Sequence, residues 1–161
     1  MPDNKQGNVP ADYYKDHWLH VEPERRARYE AMFQWRDSAA PLISAADLQP
    51  GQVVADFGCG PGGLALELAR RVGDNGNVIA LDINAGFLET VRKRAEAEGV
   101  SKQITTTLLA GDVIPLPDAS VDRVLCKNVL EYVPDPALTI AEFARVLKPG
   151  GIAHAIDSDW G

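Results

Sequence analysis

The sequence predicts an α/β fold built on a doubly wound parallel sheet, and three of its features carry that reading. Short apolar runs alternate with longer stretches whose apolar residues recur at helical spacing. No two runs are joined by a hairpin-type turn, which leaves parallel strands linked by right-handed crossovers. Three acids, Asp56, Asp82 and Asp112, stand at or just past the ends of successive strands. In open sheets of this class ligands bind beyond the carboxyl ends of the strands, where strand order reverses.

Residues 1–12 are polar, with Pro2, Gly7 and Pro10, and read as a lead-in. Tyr13, Tyr14, His17, Trp18 and His20 then fall within eight residues, in a chain that is only 7% aromatic. Such a segment either docks a helix onto the core or closes over a pocket. His17 and His20 are one helical turn apart, yet no acid or cysteine stands at ligand spacing, so no metal is expected. Glu24 to Ser38 lacks glycine and proline and predicts a helix packed by Tyr29, Met32, Phe33 and Trp35. Pro41 interrupts it, a short helical piece follows over Leu42 to Ala46, and Gln49-Pro50-Gly51 is a turn.

Val53 to Phe57 is the first strand, followed by a glycine loop and a helix with Leu64, Ala65, Leu68, Ala69 and Val72 on one face. Gly73 to Asn77 ends that helix, and Val78 to Asp82 is the second strand. Asn84 is the expected N-cap of a helix with the stripe Leu88, Val91 and Ala95, closed at Gly99. Ile104 to Leu109 and Val121 to Cys126 are the third and fourth strands. Asp135-Pro136 supplies N-cap and first turn of a helix expected to face inward through Ala137, Ile140, Ala144 and Leu147. Lys148-Pro149-Gly150-Gly151 stops it before a fifth strand, Gly151 to Ile156. The division expected is a lead-in and helical lid over 1–48 and a ligand-binding core over 49–161, together one structural domain.

With 161 residues the chain is one domain by length. The 45% hydrophobic and 24% charged composition is that of a globular protein, without a membrane-length apolar run or signal-peptide core. A cytoplasmic location without membrane insertion is the expectation. The net charge of -7 argues against nucleic acid. Arg25, Arg26 and Arg28 read as a solvated helix face. Cys59 and Cys126 read as reduced and structural.

Gly58-x-Gly60-x-x-Gly63 also fits a dinucleotide fingerprint, so local chemistry has to choose the ligand. A diphosphate wants free N–H groups and no neighbouring anion. Asp56 puts a carboxylate beside the loop, and Pro61 removes a donor. Both disfavour a diphosphate, whereas a cationic nucleoside such as S-adenosylmethionine is attracted by Asp56 and indifferent to the missing donor. A carboxylate at Asp82 can accept from both ribose hydroxyls, and one at Asp112 from an adenine amine.

Asp56-Phe57-Gly58-Cys59-Gly60-Pro61-Gly62, Leu81-Asp82-Ile83, Gly111-Asp112-Val113, the run Val121 to Leu130 and Leu147-Lys148-Pro149-Gly150-Gly151 together resemble the class I S-adenosylmethionine-dependent methyltransferases. The resemblance covers about residues 50–157 and is nearest to the small-molecule enzymes related to ubiquinone and menaquinone biosynthesis. It implies a Rossmann-like sheet and methyl transfer by in-line displacement to a small-molecule acceptor. It also implies a cofactor site of Asp56, Gly58, Cys59, Gly60, Gly62, Asp82, Ile83, Asp112, Val113 and Asn128. Tyr14, His17 and His20 are the candidate general bases if the acceptor must lose a proton, and Tyr14, Trp18, Asp157 and Trp160 the candidate acceptor contacts. His154, inside the fifth strand, is expected to be a satisfied core residue. A cofactor-binding module without turnover is the alternative reading, and a nicotinamide oxidoreductase the remoter one. The family sheet has seven strands where five are visible, so the last two are expected to be lacking and the chain to be an N-terminal portion or to have its edge covered by a partner. The fifth strand is then an open edge without lysine, proline or bulge, and self-association through it is expected.

Overall fold

The computed structural model describes residues 13–111 and 113–158, with side chains from residue 16 onward. Five parallel strands form one sheet: β1 (Val53–Phe57), β2 (Asn77–Asp82), β3 (Ile104–Leu108), β4 (Val121–Lys127) and β5 (Leu147–Ile156). Their order is β3-β2-β1-β4-β5, so the direction of winding reverses between β1 and β4. That reversal puts the end of β1 at the position where open sheets take ligands.

Helices α1 (Tyr13–Leu19) and α2 (Pro23–Met32) precede the sheet, and a 3-10 segment over Asp37–Ala46 leads into it. Helix α3 (Gly63–Val72) follows β1, α4 (Ala85–Ala97) follows β2, and α5 (Pro136–Val146) leads into β5. Successive residues of a strand face opposite sides, and the two cores divide accordingly. Val54, Val78 and Ala80 join the faces of α3 and α4, while Ala55, Phe57 and Leu81 join Phe143 and Val146 of α5. The stripe expected for α3 is wholly buried, and so is that of α4 with Phe87 added. Asn84 and Asp135 both cap as expected, each side chain accepting two backbone N–H bonds.

Five expectations are corrected. The helix expected to Ser38 ends at Met32, and a 3-10 run containing Pro41 replaces the piece expected from Leu42. Helix α5 faces inward through Phe143 and Val146; Ala137, Ile140 and Ala144 lie on its exposed side. The aliphatic stripe was the wrong guide, because the larger Phe143 ring takes the inward side and packs edge-on to Phe57, 5.1 Å between centroids. Strand β5 begins at Leu147, not Gly151: Leu147 pairs Val121, Ile152 pairs Arg123, and the residues between form an irregularity containing Lys148 and Pro149. The edge is therefore blunted at its start, contrary to the expectation of a strand without such devices. Finally, His154 is half-buried rather than core, its Nε2 lying 2.7 Å from the Leu42 carbonyl.

Arg123 ties the 3-10 segment to the sheet. Only 8% exposed, it donates from Nε to the Ala46 carbonyl at 2.6 Å and from Nη2 to that of Asp47 at 3.0 Å. These bonds satisfy the open carbonyls at that segment's end.

Candidate functional site

The carboxyl ends of β1 and β2 set two acids on one sheet face, since Asp56 shares the pleat side of Val54, and Asp82 that of Val78 and Ala80. Asp56 is the penultimate residue of β1 and 1% exposed; Asp82 ends β2 and is 7% exposed. Between them the loop folds back on β2: the amides of Gly58 and Cys59 both donate to the Leu81 carbonyl, at 2.8 and 2.9 Å. Gly60 then donates its N–H to Asp82 Oδ2 at 2.7 Å, and Asn84 its N–H to Oδ1 at 2.8 Å. Each oxygen of Asp82 thus carries one backbone bond and keeps further acceptor capacity.

Glycine is required here for two different reasons. Gly58 has φ +71, and a Cβ there would run into Val129 of the loop after β4. Gly60 has φ +52, but nothing stands within 4 Å of a Cβ placed on it, so its bare backbone faces open space. Gly62 (φ +87) is the residue before α3 and packs against Val91 of α4. Cys59 is buried with its thiol pushed well above the ordinary value by burial and by the Asp82 and Asp56 charges. It is a packing residue, as expected.

Asp56 is the electrostatic anomaly of the site. Burial, with the Asp82 charge adding, pushes its carboxyl up to about 7, against the pull of Lys127. Asp82 is pushed up to about 6 by burial, held back by the amides of Asn84, Gly60 and Ile83. Asp56 Oδ2 is fully buried and finds no hydrogen-bond partner among the described residues. A buried carboxylate oxygen without a donor costs free energy that a bound cation would recover. The residues present therefore fit a ligand bearing positive charge, and the carboxylate pair does not fit a diphosphate.

The other expected site residues fall into two groups. Asn128 ends the β4 turn at φ +55, its N–H bonded to the Ile156 carbonyl. Asp157 accepts from the Val129 N–H at 3.1 Å, which makes it a loop cap between β4 and β5. Ile83 follows Asp82 directly and packs on the α5-side core, whereas Val113 is 68% exposed. Asp112 and Trp160 lie outside the described residues, as does the side chain of Tyr14.

Helix α1 lies over the rim. The Asn84 side-chain amide donates to the Trp18 carbonyl at 2.8 Å, and the Trp18 ring stands 5.4 Å from that of Tyr132, past β4. Tyr29 of α2 stacks on Trp18 at 5.1 Å, and its hydroxyl is 3.4 Å from His17 Nε2. Trp18 Nε1 is buried without a partner among the described residues. His20 is exposed at the end of α1. Sequence reasoning missed Asn84 beyond its capping role, gave Lys127 and Val129 no role beyond the fourth-strand motif that contains them, and missed Tyr132 altogether. Of these only Asn84, two residues past the rim acid and able to donate as well as accept, offered a signal.

Two clefts lie away from the acids. One of about 350 Å³ is lined by Trp35, Gly63, Glu67, Arg70, Arg94 and Glu98, and one of about 270 Å³ by Leu19 to Glu22 and Arg26. In the larger, Arg70 pairs with Glu67 and Glu98, and Arg94 with Glu98. Its two arginines are thus already paired, and Asp37 lines it as a further acid.

A family model described as a methyltransferase domain matches residues 55–155. The ubiquinone/menaquinone biosynthesis C-methyltransferase UbiE of Coxiella burnetii is 31% identical over 158 residues, which is 92% of this chain and 62% of that protein. Demethylmenaquinone methyltransferase of Symbiobacterium thermophilum is 35% identical over 118 residues, 73% of this chain and 47% of that one. The chain thus spans less than two thirds of the length of these curated relatives. In fold it resembles a SAM-dependent methyltransferase of Aquifex aeolicus, with a TM-score of 0.68 at 23% identity over 81% of this chain and 69% of that one. A match running from the first strand to the last, on a superposable sheet, means that the chain belongs to the class I S-adenosylmethionine-dependent methyltransferases.

Proposed function

We propose that this chain binds S-adenosylmethionine at the ends of β1 and β2 and transfers its methyl group to a small-molecule acceptor. The observation that carries the reading is the buried, unpartnered oxygen of Asp56 at the point where strand order reverses. When bound, the cofactor supplies an electrophilic methyl group on a sulfonium leaving group. The residues' work is then placement and exclusion of water. Asp56 holds the ammonium, Asp82 the ribose hydroxyls, and Gly60 lets backbone approach closely because its outer side is bare. Gly58, Cys59 and Gly62 shape the loop, the Asn128 main chain borders the methionine part, and Ile83, Asp112 and Val113 border the adenine.

Helix α1 serves as the lid over this rim, with 1–48 acting as a closing segment on the 49–161 core. Trp18 contributes an indole N–H whose lack of a partner suits an acceptor oxygen. Where the acceptor must lose a proton, His17 is the favoured base among Tyr14, His17 and His20, because Tyr29 orients its ring. Asp157 and Trp160 belong to the acceptor side. The names of the curated relatives, both methyltransferases of quinone biosynthesis, support a small organic acceptor over a nucleic acid, as does the net charge of -7. Among the described residues no helix is long and apolar enough to cross a membrane, which accords with a cytoplasmic enzyme. Self-association through the outer edge of β5 beyond Gly151 is part of the same proposal, and sedimentation over a concentration series tests it.

Calorimetry with S-adenosylmethionine tests the cofactor assignment. Asp82→Ala removes a charged acceptor and should weaken binding by about 1 to 3 kcal/mol. Equal affinity in a folded variant overturns the ribose role. A mass-spectrometric screen of small acceptors for the gain of one methyl tests turnover.

A further inference from the structure

Helix α1 has seven residues, too few to be stable alone. Its last carbonyls need donors from outside. Arg25 Nη2, on the adjoining α2, serves those of His17 at 2.7 Å and of His20, just past the helix, at 3.2 Å. The Asn84 amide serves those of Trp18 at 2.8 Å and Leu19 at 3.4 Å, and Asn84 belongs to the core.

Asn84 is 3% exposed and spends every polar group it has. Its Oδ1 accepts from Gly86 and Phe87 at the start of α4, and its backbone N–H donates to Asp82 Oδ1. Capping explains only the oxygen, since serine, threonine or aspartate caps as well. The amide donor is surplus to the cap, and what it meets is the lid helix. The same residue therefore touches the rim acid through its main chain and the lid through its side chain.

We propose that Asn84 is a positioning residue, a latch that joins lid helix α1 to Asp82 so that closure of the lid and occupation of the rim favour each other. The proposal rests on the reading of α1 as a lid over a nucleoside site. A ligand that fixes the Asp82 carboxylate fixes the Asn84 amide, and with it the donor to the Trp18 and Leu19 carbonyls. By linkage, whatever the ligand adds to lid order the lid returns in affinity.

Hydrogen exchange on the 161-residue chain, with S-adenosylhomocysteine as the probe, tests this. In the parent, the probe should slow exchange of amides 16–20 about tenfold. Asn84→Ser keeps a cap but replaces the two-donor amide with a single hydroxyl on a shorter side chain. It should leave the α4 amides 87–91 protected, speed exchange at 16–20 about tenfold without ligand, and abolish their response to the probe. A second variant, Trp18→Ala, loosens the lid through its ring contacts; adding Asn84→Ser to it should then change α1 exchange little, because both act on one docking event. The latch is overturned if Asn84→Ser leaves α1 protected and responsive, if the two variants add in full, or if α1 and α4 lose protection in parallel. Failure of the parent to bind the probe by calorimetry counts against the functional reading alone, since the ligand-free comparison still decides whether Asn84 holds α1.

Discussion

Replacing Asp56 by asparagine should make the ligand-free protein more stable and a poorer binder at once. The carboxyl is buried and its proton is held up to about 7, against an ordinary 3.8. A group whose folded value is raised gives stability that is full below the unfolded value and is lost as pH climbs through the folded one. For Asp56 the loss runs from about pH 4 to 7 and, at about 1.36 kcal/mol per pH unit, approaches about 4 kcal/mol. Asparagine has nearly the same shape and never ionises, so Asp56→Asn should recover about 2 to 4 kcal/mol at pH 8 and almost nothing at pH 4. Urea unfolding of parent and variant across pH 4 to 8 reads the difference directly. Asp82 titrates in both proteins, over about pH 4 to 6, and largely cancels in the comparison. S-adenosylmethionine affinity should meanwhile fall by about 1.5 to 3 kcal/mol, the worth of a hydrogen bond to a charged group. A variant no more stable than the parent at pH 8, or with the same slope of stability against pH, refutes the account of a destabilised carboxylate kept for a cation.

Gly58→Ala forces a Cβ into Val129 at φ +71 and should cost about 2 to 4 kcal/mol of stability, measurable by denaturant and partly relieved by Val129→Ala. Gly60→Ala meets nothing and should cost only about 1 to 2 kcal/mol, yet it should impair cofactor binding in calorimetry far more than that loss would suggest. Arg123→Ala strips donors from the Ala46 and Asp47 carbonyls and should cost about 2 to 3 kcal/mol, with faster exchange along the Asp37–Ala46 segment.

The core of the fold was legible because its signals are redundant. Val53 to Phe57 has strand composition, a glycine loop after it and a helical stripe after that, and each level points to the same answer. The α5 face was not legible, because Ile140 and Phe143 are both apolar and only the partner surface at Phe57 decides between them. The rim acids could be read from position alone, but not the burial that perturbs them, since that depends on α3, α4 and the loop after β4 closing round the strand ends. The docking of α1 was legible as an aromatic cluster with two possible uses. Its tie through Asn84, 66 residues from Trp18, has no local pattern to announce it.

The Arg123 bonds to Ala46 and Asp47 bear on the order in which the molecule assembles during its synthesis. Arg123 stands 77 residues after Ala46, so at a synthesis rate of about 5 to 20 residues per second roughly 4 to 15 s separate the two on the ribosome. β1, which pairs with β4, waits nearly as long for its second neighbour. Late in that interval, once β3 is made, the chain has three of these five strands while the Ala46 and Asp47 carbonyls still lack the Arg123 donor. Arg123 and its strand then arrive together, so one event completes the sheet's centre and fastens the segment that leads into it.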